Sequence, residues 1–196
     1  MVSPPSETPS SGVEYAYRAS AIGSAHRFAL EDDGISWRVS RRTGRWGYAD
    51  IAAVRMSYRP MSMQSRRFRT EISHRDGGRI IVMSTTWRTL ALMDAQDNDY
   101  RTFIVELHRR FAEHGARATL VGGLNPLLYF AGAGVLMLLL VAMTALLARA
   151  IVTGEWAGAL FIVGLSAFFG WQIGRFMRRN RPRAYTFDAL PQDLLP

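Results

Sequence analysis

Residues 124–148, LNPLLYFAGAGVLMLLLVAMTALLA, and residues 156–176, WAGALFIVGLSAFFGWQIGRF, decide how the rest of the chain is read. At about 1.5 Å per residue, helices of these lengths reach roughly 31 to 37 Å, enough to cross a hydrocarbon core of about 30 Å with some tilt. A helix that is apolar on all sides needs lipid or a shell of protein around it. Residues 1–123 have a different, strand-like pattern and cannot supply that shell. The two stretches are therefore expected to form a transmembrane hairpin, with spans over 124–148 and 156–176 and an external loop over 149–155.

The flanking charge gives the hairpin a direction. Residues 1–123 carry 18 Arg against 13 Asp plus Glu, and Arg178, Arg179, Arg181 and Arg183 follow the second span. The connection holds only Arg149, which Glu155 balances. By the positive-inside rule both termini are expected in the cytoplasm. Trp156 and Trp171 near opposite ends of the second span, with Tyr129 in the first, suit the aromatic belts of the two interfaces. Residues 1–12, rich in Ser and Pro without an apolar core, are expected as a disordered leader and have none of the marks of a secretory signal.

With 196 residues, one domain and the hairpin nearly exhaust the chain. It contains no cysteine, which excludes disulfides, thiolate metal sites and a cysteine nucleophile. The net charge is +8, and all 24 basic residues are arginine. Codon bias in a GC-rich genome and selection for phosphate recognition both account for that; in either case the planar guanidinium can grip phosphate or carboxylate with two parallel bonds.

Ahead of the hairpin the apolar residues alternate. A first strand is expected over Val13 to Ala21, with Val13, Tyr15 and Tyr17 on one face. Phe28 to Glu31, the turn Asp32-Asp33-Gly34 and Ile35 to Ser40 make a β-hairpin with Ile35, Trp37 and Val39 inward. A second turn is expected at Arg41-Arg42-Thr43-Gly44, followed by Arg45 to Tyr48 and by Ile51 to Arg59, where Val54, Met56 and Tyr58 oppose Arg55, Ser57 and Arg59. After a loop over Pro60 to Ser65, Phe68, Thr70, Ile72 and His74 alternate with Arg67, Arg69, Glu71 and Ser73. Asp76-Gly77-Gly78 turns the chain into a strand over Arg79 to Thr85. Thr86 to Asp97 reads as a loop with a short strand near Leu90 to Met93. Residues 99–115 read as an amphipathic helix, because Tyr100, Phe103, Ile104, Leu107 and Phe111 form one stripe.

The hairpin Phe28 to Val39, the segment Trp46-Gly47-Tyr48-Ala49-Asp50-Ile51-Ala52-Ala53-Val54 and the helix Tyr100 to His114 together resemble the pleckstrin-homology-like fold in its small bacterial membrane-associated form. The resemblance covers roughly residues 13 to 116 and rests on strand rhythm. It implies an α+β domain over 13–123, an antiparallel sheet or open barrel capped by one helix, that is non-catalytic and binds lipid headgroups, peptides or other subunits. The location it implies is a bacterial inner membrane.

No histidine pair among His26, His74, His108 and His114 has a metal-binding spacing, and His108 and His114 lie off the apolar stripe. Glu31, Asp32 and Asp33 are explained by the turn before Gly34. No catalytic, cofactor or metal residue is therefore assigned. The candidate lipid contacts are Arg41, Arg42 and Arg45 around one turn and Arg66, Arg67 and Arg69 beside a loop, where each exposed arginine near an anionic leaflet contributes about 1 kcal/mol. A strand edge kept soluble by charge is the competing account. Gly132, Gly134, Gly158, Gly170 and Gly174 are candidate helix-packing positions, within the hairpin or against other helices. Arginines interleaved with acids and the lack of a reading motif argue against nucleic acid. The tail, 177–196, with Tyr185, Phe187, Leu190, Leu194 and Leu195, has three fates: docking on the domain, on a partner, or on neither. The expected function is an inner-membrane binding or scaffolding module without catalysis. The alternative is an accessory subunit or homo-oligomer assembled through its spans.

Overall fold

The computed structural model describes residues 12–60, 66–89 and 92–196. Nearly all of the expected leader and of the loop over Pro60 to Ser65 lies outside the described residues. The chain forms two units, Met1–Val121 with Ala184–Pro196, and Gly122–Arg183.

The first unit is α+β. Its first sheet is the antiparallel meander β1 (Glu14–Arg18), β2 (Ala25–Leu30), β3 (Gly34–Val39) and β4 (Arg42–Gly47). Period-two alternation sends Tyr15, Tyr17, Phe28, Leu30 and Ile35 into the core. The second turn is tighter than the expected Arg41 to Gly44. Val39 pairs with Arg42, so Ser40 and Arg41 alone reverse the chain, with Ser40 at φ 56°. Gly44 lies within β4 opposite Trp37, where a Cβ would come within 2.5 Å of the indole. It serves packing and not the turn.

A short 3-10 helix, Tyr48–Asp50, leads into β5 (Ile51–Tyr58), and β6 (Phe68–His74) and β7 (Arg79–Met83) continue antiparallel. A bulge between Ile51 and Ala53 shifts the alternation by one, so Ile51 and Val54 are both buried. In the stretch from Thr86 to Asp97, β8 (Thr85–Trp87) and β9 (Met93–Ala95) pair antiparallel as a two-stranded sheet of their own; the strand expected near Leu90 to Met93 shares Met93 with β9, and its Leu90 and Ala91 lie outside the described residues. Helix α1 (Asp97–Glu113) then buries Tyr100, Phe103, Ile104, Leu107, His108 and Phe111. At about 1.5–3 kcal/mol for each large apolar side chain, this stripe holds the helix to the sheets. After it come β10 (Thr119–Gly122), the helices α2 (Pro126–Val152) and α3 (Trp156–Arg179), and β11 (Arg183–Ala184). The second sheet runs β11-β10-β5-β6-β7, and among the described residues no sheet closes into a barrel.

Buried tyrosine hydroxyls tie the layers together. Tyr15 donates to Met83 O and Tyr17 to Ile81 O, both at 2.6 Å, on the outermost strand of the second sheet. Tyr48 reaches Glu31 O at 2.8 Å, and Tyr100 lies 2.7 Å from the Thr70 hydroxyl. Each bond satisfies a hydroxyl that would cost about 1–3 kcal/mol if buried without one.

In the second unit α2 and α3 are long and apolar enough to cross a membrane, with mean hydropathies of 2.5 and 1.5 over their most apolar windows. The Asn125 side chain accepts from Leu127 N, and Pro126 occupies the first turn, a capped helix start. Gly154, at φ 75°, helps turn the chain between the helices. Arg175 lies within the last two turns of α3. Half-buried positions in α2 recur as Tyr129, Ala133, Leu136, Met143, Leu147 and Ala150, a three-and-four spacing that makes one seam. At the open end of the hairpin Leu124 N donates to Asn180 O at 3.0 Å. Gly123 permits that approach: its φ is 91°, and a Cβ would lie 2.5 Å from the carbonyl oxygens of Asn180 and Arg181.

Candidate functional site

The pairing of β5 with β6 assembles a cationic surface from two separate alternations. Arg55 lies opposite Glu71 and Ser57 opposite Arg69, while Arg59 N donates to Arg67 O at 2.8 Å. The side of the strand pair away from the core thus carries Arg55, the buried Ser57, Arg69 and Glu71, and is continued one residue beyond the strand ends by Arg59 and Arg67. Val54, Met56, Phe68, Thr70 and Ile72 occupy the opposite, core face.

Four guanidinium groups share this face with one carboxylate. Arg69 Nη2 contacts Glu71 Oε2 at 2.8 Å, and a fifth arginine, Arg79, reaches Glu71 Oε1 at 3.2 Å. Arg67 Nε donates to Arg59 O at 3.2 Å. The Arg69 and Glu71 side chains are only 19% and 20% exposed, so this pair is substantially removed from water. Among the described residues Arg55 Nη1, Arg59 Nε and Arg69 Nε are closed to solvent and have no acceptor. An unmade bond at a buried charged donor costs about 1–3 kcal/mol or more, and among the described residues this surface holds more donors than acceptors placed to satisfy them. Burial, and after it the neighbouring Arg69 charge, hold Arg59 and Arg67 below the ordinary arginine value.

The residues singled out from the sequence divide. Arg67 and Arg69 belong to this surface, whereas Arg66 is exposed and lies 3.8 Å from Asp97. Arg45 is engaged by Glu31 at 2.8 Å and by Asp33. Arg41 and Arg42 are exposed at the β3–β4 turn. The outer face of the first sheet forms a shallow concavity of about 890 Å³ with Arg27 and Arg38 beside Glu14 and Glu31, a balanced set of charges. On β5, β6 and the residues that continue them, by contrast, arginine outnumbers carboxylate. Arg55 and Arg59 were legible as outward residues but not as members of a cluster. Their neighbours are set by a cross-strand register that no local pattern encodes.

The tail docks on the domain. Tyr185 N donates to Leu120 O at 3.2 Å, the Phe187 ring lies 6.1 Å from that of Phe111, and Leu194 and Leu195 are buried in the core. Arg101 on α1 fastens the end, donating to Pro196 O and Gln192 Oε1 at 2.8 Å each. His108 is therefore fully buried, which corrects its placement off the apolar stripe: the tail covers the helix flank that the sheets leave open. Its Nδ1 lies 2.7 Å from Ile104 O and its Nε2 3.0 Å from the Tyr185 hydroxyl. Burial lowers the imidazole to about 4, so at neutral pH Nδ1–H donates to the carbonyl and Nε2 accepts from tyrosine. His26, similarly lowered by burial, lies 3.2 Å from the Tyr17 hydroxyl.

Of the candidate packing glycines, Gly158 and Gly174 are half-buried and Gly132, Gly134 and Gly170 exposed. A Cβ added at Gly132, Gly134, Gly170 or Gly174 would meet nothing within 4 Å. Compared with known proteins, the chain matches no family model, no curated protein and no solved structure.

Proposed function

We propose that this chain is a non-catalytic binding or scaffolding module, anchored in a bacterial inner membrane by α2 and α3, with a pleckstrin-homology-like domain in the cytoplasm. One observation carries the reading: residues on both sides of the hairpin build a single unit. A chain that leaves a folded unit at Val121 and rejoins it at Ala184 crosses a bilayer an even number of times, which two spans satisfy. The arginines before and after the hairpin favour the cytoplasmic side. A four-stranded meander, a second sheet begun by three antiparallel strands and a following helix support the pleckstrin-homology-like architecture. Histidines 26 and 108 are engaged by tyrosines in packing, which suits a binding domain better than acid–base chemistry.

A second reading, an accessory subunit or homo-oligomer, is favoured by Gly132, Gly134 and Gly170, exposed positions where an added Cβ would meet nothing within 4 Å. Purification of the full chain from native membranes separates the two. A binding module loses its co-purifying lipid or protein when domain arginines are substituted and keeps it when Gly134 becomes leucine. An assembly subunit gives the reverse, together with a smaller detergent-solubilised mass for Gly134→Leu.

A further inference from the structure

We infer that the outward face of β5 and β6 is a phosphate-binding site formed by Arg55, Arg59, Arg67 and Arg69, with Glu71 as the carboxylate that positions Arg69. The inference deepens the binding-module reading and rests on it. Like charges opposite one another across a strand pair destabilise a sheet unless something compensates them. Here the cross-strand neighbours Arg59 and Arg67 are both cations, Arg69 lies one step along the same face, and the only carboxylate among these six positions is shared between Arg69 and Arg79. Among the described residues the face is short of acceptors, as the three unbonded guanidinium N–H positions also show.

A phosphate group answers that composition better than a carboxylate does. A phosphomonoester carries up to two negative charges and three terminal oxygens, each able to accept more than one bond, and the guanidinium fork matches two of those oxygens at once. Arg55 and Arg69 lie on paired strands, and Arg59 and Arg67, one residue beyond the strand ends, are held together by the bond from Arg59 N to Arg67 O at 2.8 Å. Half-burial raises the strength of each contact by limiting water. Both a lipid headgroup and a free phosphorylated compound present this chemistry.

The test uses the full chain in nanodiscs of phosphatidylcholine at fixed ionic strength set with chloride. Inorganic phosphate is titrated by calorimetry in one arm. In the other, phosphatidic acid is added to the nanodisc and the bound lipid is counted by native mass spectrometry. Phosphate binding that weakens about tenfold or more in Arg59→Gln/Arg67→Gln, and is unchanged in Arg41→Gln/Arg42→Gln, supports the site with a soluble ligand. No response to phosphate, with phosphatidic acid retained by the native chain and lost from the Arg59→Gln/Arg67→Gln variant, supports it with a lipid ligand. Binding that is equal in both variants, or absent in both arms, overturns the inference. Without ligand, Arg59→Gln/Arg67→Gln is expected to melt no lower than the native chain, because two mutually repelling cations are gone. Should that variant fail to fold, Arg59→Lys keeps the charge without the fork; native-like phosphate affinity in Arg59→Lys also overturns the site. Membrane orientation, read from cysteine labelling, does not depend on this face, so failure here leaves the anchored-module reading separately testable.

Discussion

Replacing Tyr185 by phenylalanine deletes one oxygen and tests whether the tail is part of the domain. The hydroxyl donates to Nε2 of a fully buried His108 at 3.0 Å. Its removal leaves a ring nitrogen with no partner, at a cost of about 1–3 kcal/mol. His108→Leu alone strands the tyrosine hydroxyl at a similar cost, whereas the double variant loses both polar groups together. The double variant should therefore cost about 1–3 kcal/mol less than the two single costs added. The pH dependence carries an independent signature. With His108 at about 4 in the folded chain and an ordinary value of 6.5 in the unfolded one, only the unfolded chain is protonated between those values. Stability contributed by this group is complete above pH 6.5, falls by about 3 kcal/mol as pH drops to 4, and is constant below that. Tyr185→Phe leaves the burial of the imidazole in place and should preserve the slope; His108→Leu should flatten it, with a smaller residue in the same direction from His26. Thermal melts of the full chain in neutral detergent, followed by near-ultraviolet circular dichroism from pH 4 to 8, measure both effects. Additive single variants, together with a pH slope undiminished in His108→Leu, would show that His108 and Tyr185 are not coupled in the core.

Two further outcomes follow from the same packing. Leu194→Ala opens a cavity beneath a fully buried tail residue and should lower stability by about 2–5 kcal/mol in the same melts. Gly123→Ala forces a side chain into a left-handed backbone position 2.5 Å from two carbonyl oxygens, so amide exchange at Leu124 should accelerate while the tyrosine bonds of the sheets keep their protection.

Much of the architecture could be read from local pattern. The stripe Tyr100, Phe103, Ile104, Leu107 and Phe111 marked α1, alternation marked β3, β5 and β6, and the two apolar runs marked α2 and α3, because each signal is periodic within one element. What escaped were properties of pairs of elements. His108 is a turn away from Ile104 at the margin of the stripe, and only the tail, 77 positions further along the chain, makes it a core residue. The Ser40-Arg41 turn has no glycine to announce it, while Gly44, which looked like a turn residue, clears space for an indole. The arginine surface was legible as two half-faces on separate strands. Joining them required the register of β5 on β6, strands separated in the sequence by residues 59–67.

On the reading proposed above, the two ends of the hairpin return to one domain on one side of a membrane. The chain contains no cysteine, so single substitutions Ser24→Cys, Thr153→Cys and Asp188→Cys each report one exposed position without removal of any native thiol. A membrane-impermeant maleimide applied to intact spheroplasts should label Thr153→Cys alone, and all three after lysis. Labelling of Ser24→Cys or Asp188→Cys in intact spheroplasts, or protection of Thr153→Cys there, would place the ends of the hairpin otherwise.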